Sequence, residues 1–287
     1  MIQRATTAAL AAILLVGLSA CASTGEPRST TSAAAVDVQT TVYHEVDGKK
    51  LDADVCLPRN AHKDRAAMIL VHGGGFTEGS RSSMRKLCEQ FAQRGVVGVA
   101  IDYRMLPDFA YPAPVDDANS AVAWLKQPDI AAQYAIDPAR IGMLGSSAGA
   151  IITASVATEP DTGIAAGVAL SPVADMTPSG LTLGTPSPEA IATILAYLGC
   201  TKIDDCPQSV PASPLKAVSK GDAPLFLAGG SRELVPRQQV KALHDALQAA
   251  GVPTELTVLA GERHGLALLT DKMRNAIFDF VKARLQS

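Results

Sequence analysis

The stretch Ile141-Gly142-Met143-Leu144-Gly145-Ser146-Ser147-Ala148-Gly149-Ala150-Ile151-Ile152 joins two kinds of pattern. Ile141–Leu144 is a short apolar run and predicts a buried strand; Ala148–Val156 predicts a helix. Between them stands a GxSxG string. Alone it is a weak signal: with Gly near 7% of residues, roughly one chain in ten of this length has one by chance. Its placement adds weight. The glycines permit a tight, strained strand-to-helix turn. Such a turn presents Ser147 Oγ at a helix N-terminus, where free N–H groups and the helix dipole favour developing negative charge. Ser147 is thus the candidate nucleophile, and the competing reading is a glycine-rich turn with a solvated serine.

Upstream, Ala66–Val71 reads as another buried strand and runs into His72-Gly73-Gly74-Gly75-Phe76. An oxyanion hole needs backbone N–H groups with no side chains in the way. Gly73 and Gly74 can supply them, together with the N–H of Ala148. A phosphate-binding loop is the alternative, but neither a P-loop lysine nor GxGxxG spacing is present. His72 precedes the glycines and is expected to brace the loop by hydrogen bonding.

Downstream, a base for Ser147 is expected after it in the chain, in the order Ser, acid, His. Only His244 and His264 follow Ser147. His244 falls inside a predicted helix. His264 lies in a loop just beyond the last predicted strand, Thr254–Leu259, and is the preferred base. Glu233 follows the predicted strand Pro224–Ala228 and has the position and charge to orient the imidazole. Asp175, after the strand Ile164–Leu170, is the rival acid. Arg104 and Asp117 can form a structural ion pair beneath the site and are given no catalytic role. No HExxH motif or cysteine cluster suggests a metal, and no cofactor is implied.

The remaining elements set the fold class. Tyr43–Val46 and Leu51–Leu57 flank Asp47-Gly48, a strong hairpin signal. Val96–Ile101 is a further strand, and helices follow over 118–125, near 240–247 and near 277–285. Strands alternating with helices predict an α/β fold, a mainly parallel sheet with helices on both faces. Residues 175–221 break the alternation with a Pro-, Ser- and Thr-rich insertion, containing the helical stretch Pro188–Leu198, before the penultimate strand. An insertion of this length reads as a cap or lid. The folded domain is expected over 39–287.

The N-terminal segment reads separately. Arg4 and the apolar run Ala8–Leu18 have the form of a signal peptide over 1–20, too short for a bilayer core of about 30 Å. Leu18-Ser19-Ala20 before Cys21 resembles the lipobox of bacterial lipoproteins. That resemblance implies lipidation of Cys21 and an anchor in the cell envelope, with Ala22 pointing to the outer membrane. Ordinary cleavage near Ala22 is the alternative. Residues 21–38 are expected to be the lipidated cysteine and a flexible tether. The 287 residues are 47% hydrophobic and 18% charged, with a net charge of −3, so nothing favours nucleic acid as a partner. Export predicts an oxidising compartment. Cys200 and Cys206 flank a short polar loop and could pair, leaving Cys56 with Cys88; sequence alone does not choose among the three pairings, and buried free thiols are the alternative.

The HGGGF loop, Asp102-Tyr103-Arg104 through Tyr111-Pro112-Ala113-Pro114, GSSAGA, Leu170-Ser171-Pro172 with Asp175, and the late His264-Gly265 recur in order. Together they resemble the hormone-sensitive-lipase-like branch of the α/β-hydrolases. The sequence departs from that branch at Ser146 and Glu233, where Asp is usual, and at Ala150, where Gly is common. The resemblance implies a Ser147–Glu233–His264 triad and hydrolysis of short-chain carboxylic esters, a small-molecule substrate. Rival readings are a carbohydrate deacetylase or feruloyl esterase, an exopeptidase on the same fold, and a non-catalytic envelope binding protein. Oligomeric state is not legible.

Overall fold

In the computed structural model, which describes residues 36–59, 63–161 and 163–285, the alternation of strands and helices builds one eight-stranded sheet. The expected signal peptide, Cys21 and the tether as far as residue 35 lie outside the described residues. The elements run β1 (Val36–Val46), β2 (Lys49–Pro58), β3 (Arg65–Val71), α1 (Arg85–Ala92), β4 (Val97–Ile101), α2 (Ala113–Leu125), α3 (Pro128–Tyr134) and β5 (Ile136–Ser146). They continue with α4 (Ala148–Thr158), β6 (Ala166–Leu170), α5 (Pro188–Leu198), α6 (Pro214–Ala217), β7 (Leu225–Gly230), α7 (Arg237–Ala249), β8 (Thr254–Leu259) and α8 (Asp271–Leu285).

The strand order is β1-β2-β4-β3-β5-β6-β7-β8. β2 is antiparallel to both β1 and β4, and every other pairing is parallel. Asp47 and Gly48 turn the hairpin with left-handed backbone, φ 50° and 70°, as a tight primed turn requires.

Alternation along the strands divides the core in two. Ala67, Ile69 and Val71 of β3 face one layer with α2, α4 and α7, whereas Met68 and Leu70 face the other with α1 and α8. Both faces are therefore covered, as a parallel sheet requires. A fully buried side chain of this kind stabilises by roughly 1.5–3 kcal/mol over its exposed form. Disulfides Cys56–Cys88 and Cys200–Cys206 tie β2 to α1 and close the loop beyond α5.

Several elements begin earlier in the structure than in the sequence reading, β1 above all. β1 begins at Val36, so Val36, Asp37 and Val38, assigned to the tether, pair with Pro58, Leu57 and Cys56. Residues 36–42 give little core signal because none of them is buried; Tyr43 is the one buried residue of the strand. Within the insertion 175–221, α5 coincides with the expected helical stretch Pro188–Leu198, and α6 and two short 3-10 turns accompany it. Tyr197 of α5 stacks on Phe76 with ring centroids 3.9 Å apart, which fixes α5 against the glycine loop. Among the described residues no helix is long and apolar enough to cross a membrane.

An ionic cluster joins the sheet to α1. Asp54 of β2, only 1% exposed, accepts hydrogen bonds from Thr40 Oγ1 at 2.7 Å, Arg81 Nε at 3.1 Å and Arg85 Nη2 at 2.6 Å. Arg104 and Asp117 form the expected pair, Nη2 to Oδ1 at 2.8 Å, with Asp117 fully buried.

Candidate active site

The turn after β5 shows why its residues are small. A Cβ on Gly145 would lie 1.9 Å from the Gly149 carbonyl oxygen, and one on Gly149 would lie 2.2 Å from that of Val71. Only glycine lets β5 reverse so sharply into α4. Ser147, between them, adopts φ 54° and ψ −117°, a rarely populated backbone conformation for a residue with a side chain. Such strain costs of order 1–3 kcal/mol. Three backbone bonds hold it: Ser147 N–H donates to Leu170 O at 2.8 Å, and Ser147 O accepts from Ala150 N–H at 2.8 Å and Ile151 N–H at 3.1 Å. Ser147 stands immediately before α4, so its Oγ is near the helix N-terminus.

His264, in the loop after β8, brings Nε2 to 2.7 Å from Ser147 Oγ. Its Nδ1 is hydrogen-bonded to Glu233 Oε2. The Glu233 side chain is fully buried; Oε1 accepts Gly230 N–H at 2.5 Å and the Ser171 hydroxyl at 2.9 Å. The three residues expected to work together are thus in one chain of hydrogen bonds. Asp175, the rival acid, is engaged elsewhere. Its Oδ1 accepts from Thr177 Oγ1 at 2.6 Å, and its Oδ2 lies 2.8 Å from Lys216 Nζ. Burial opposes its ionisation, but these partners outweigh burial and hold its carboxyl below the usual aspartate value. His244 contacts Thr254 Oγ1 from α7.

The glycine loop packs against the turn. A Cβ on Gly73 would fall 2.8 Å from Ser146 O and 3.2 Å from Ser147 Cβ. Gly74 has φ 118°, and a Cβ there would meet Glu78 O at 2.0 Å. His72 braces the loop, as read from the sequence: its Nδ1–H donates to Gly73 O at 2.7 Å, and its ring stacks on Tyr103 at 4.3 Å. Burial pushes the His72 imidazole below its usual pKa, against weaker opposing effects from the Gly73 carbonyl and Asp102. A neutral imidazole suits this structural position.

Two cavities meet at Ser147. One, of about 110 Å³, is apolar and lies among Phe76, Ile151, Val173, Ile194 and Val235. The other, a cleft of about 710 Å³, is lined by Gly73, Gly74, Glu78, His264 and Leu266. Leu234 borders both and is 52% exposed. Ala148 lines the small cavity; α5 supplies part of its wall, so the inserted segment shapes the site.

Sequence reading did not assign Ser146 and Ser171 any contact. Ser146 Oγ accepts Leu266 N–H at 3.1 Å, and Ser171 Oγ accepts Gly265 N–H at 2.9 Å. The available signal was position: Ser171 directly follows β6, the strand beside β5.

Comparison with known proteins agrees with this architecture. Residues 68–268 match a family model described as alpha/beta hydrolase fold. An acetyl-hydrolase of Streptomyces hygroscopicus is 30% identical over 204 residues, 68% of this chain and 66% of that protein. An arylacetamide deacetylase of Oryctolagus cuniculus is 34% identical over 109 residues, so the match covers 37% of this chain and only 27% of the relative. A thermophilic esterase of Thermogutta terrifontis superposes with a TM-score of 0.73 at 25% identity, covering 86% of this chain and 92% of that one. Its form phosphonylated by sarin superposes with a TM-score of 0.75 at 25% identity, covering 89% and 97%. Family match, sheet order and the turn after β5 agree: the chain belongs to the α/β-hydrolase fold family.

Proposed function

We propose that the protein is a serine carboxylesterase that hydrolyses short-chain carboxylic esters through an acyl-enzyme on Ser147. The observation that carries this reading is the continuous contact from Ser147 Oγ to His264 Nε2 and from His264 Nδ1 to Glu233. His264 takes the Ser147 proton as Oγ attacks the ester carbonyl. Glu233 holds the imidazole in its tautomer and stabilises the imidazolium. The N–H groups of Gly73, Gly74 and Ala148 receive the oxyanion; one such donor is worth about 10²–10³ in turnover. His264 returns its proton to the leaving alcohol, and the same residues then activate water to release the acid.

This chemistry orients the substrate. His264 must reach the leaving oxygen, so the alcohol occupies the cleft that His264 lines, and the acyl group enters the small cavity that it does not line. A cavity of about 150 Å³ holds a benzene. The smaller space here suits acyl groups of about two to four carbons. The names of the relatives, an acetyl-hydrolase and an esterase among them, support ester hydrolysis for this chain.

Incubation with a fluorophosphonate followed by peptide mass analysis tests the proposal. A single adduct on Ser147, prevented by prior saturation with a slowly hydrolysed ester, is expected. Full labelling resistance in the folded protein would refute it.

The N-terminal reading is a further part of the proposal. Leu18-Ser19-Ala20-Cys21 supports a lipid anchor on Cys21 and residence at the cell envelope. Cys21→Ser should abolish incorporation of labelled fatty acid and move the protein to the soluble fraction. An unchanged membrane fraction would count against the anchor.

A further inference from the structure

Four adjacent strands end at the site in the order β5-β6-β7-β8. Ser147 follows β5, Glu233 follows β7, and His264 follows β8. The residue after β6 is Ser171. Its side chain is fully buried, and its backbone is left-handed at φ 63°, a conformation that favours glycine. A serine here bears a backbone cost that glycine would avoid, and its hydroxyl offsets that cost with two hydrogen bonds.

That hydroxyl has one proton and donates it to Glu233 Oε1 at 2.9 Å. It also accepts Gly265 N–H, from the residue after His264, at 2.9 Å. Ser171 N–H donates to Ala228 O at 2.8 Å, anchoring the residue to β7. With Gly230 N–H also on Oε1, the carboxylate cannot rotate freely, and Oε2 is left for His264 Nδ1. One hydroxyl therefore ties the acid and the histidine loop to the end of β6.

We propose that Ser171 is a positioning residue that sets the Glu233–His264 geometry for ester hydrolysis. It rests on the function proposed above and acts through Glu233 and the His264 loop, without touching the reacting atoms. Hydrogen bonds to charged groups are strong enough that losing this one should reduce turnover about tenfold. Ser171 also borders the small cavity, so a role in the wall must be separated from a role in alignment.

The experiment compares wild type, Ser171→Ala and Ser171→Gly on p-nitrophenyl acetate and butyrate, with thermal melting as a control for folding. Both variants should lose kcat about tenfold, by the same factor on both esters, with KM within about twofold. Ser171→Gly should melt no lower than Ser171→Ala, since glycine suits the backbone. In a Glu233→Ala background most of the Ser171→Ala effect should vanish, because coupled residues are not additive. Wild-type kcat in Ser171→Ala, rescue by Ser171→Gly, a changed acyl preference, or the same loss with and without Glu233 would overturn the positioning role. An inactive wild type would instead overturn the esterase reading, and the positioning role with it.

Discussion

His264 Nε2 and Ser147 Oγ are 117 residues apart in sequence and 2.7 Å apart in space. The separation is closed by parallel strands that all deliver their carboxyl ends to one edge of the sheet, where ligands of such folds bind. Glu233 completes the arrangement from the strand beside that of His264.

The acid is assigned by two substitutions. Glu233→Gln should lower kcat by about 10²–10⁴-fold, since the imidazole loses its carboxylate. Asp175→Asn should leave kcat nearly unchanged while lowering the melting temperature, because Asp175 is paired with Lys216 and Thr177. Steady-state kinetics on p-nitrophenyl acetate distinguish the two; loss of turnover only in Asp175→Asn would reverse the assignment.

Close packing under Ser147 predicts steep steric costs. Gly149→Ala places a Cβ 2.2 Å from the Val71 carbonyl oxygen and should destabilise by about 3 kcal/mol or more. Gly251→Ala meets nothing within 4 Å and bears only the strain of φ 77°, so it should cost about 1–2 kcal/mol. Urea unfolding of both variants gives the comparison.

Asp54 predicts a pH dependence of stability. Burial opposes its ionisation, but hydrogen bonds from Thr40, Arg85 and Arg81 and the Arg85 charge outweigh burial and lower its pKa from the ordinary 3.8. A depressed folded-state value means the contribution is fully present above the unfolded value and is lost as pH falls through the folded one. Asp54→Asn should therefore melt lower than wild type at neutral pH, and the gap should narrow below about pH 4. Melting curves across that range check the sign.

The small cavity predicts acyl selectivity. In a series of p-nitrophenyl esters, kcat/KM should peak between acetate and butyrate and fall steeply by octanoate. Ile194→Ala, which removes a wall residue contributed by α5, should move the optimum to longer chains. An optimum at octanoate in the wild type would contradict the placement of the acyl group.

Much of the site was legible because its signals are local. Gly145 through Gly149 lie between an apolar run and a helix, and His264 follows a strand matching β8 residue for residue. Glu233 was readable from its place after β7, but what sets Asp175 aside is its engagement with Lys216 and Thr177, which no spacing encodes. Ser171 lies within the Leu170-Ser171-Pro172 motif, but its left-handed backbone and its two partners depend on three strands meeting and are not written in that motif. Helix α3 was missed because its seven residues offer too few turns for periodicity. Residues 136–140 of β5 were missed for a different reason: they carry Asp137, Pro138 and Arg140 ahead of the apolar run.

The most direct measurement is hydrolysis of p-nitrophenyl acetate by the purified wild type and by Ser147→Ala, with melting curves showing that both are folded. The account predicts saturable turnover by the wild type and a loss of about 10⁴-fold or more in the variant. Turnover by Ser147→Ala equal to that of the wild type would contradict it.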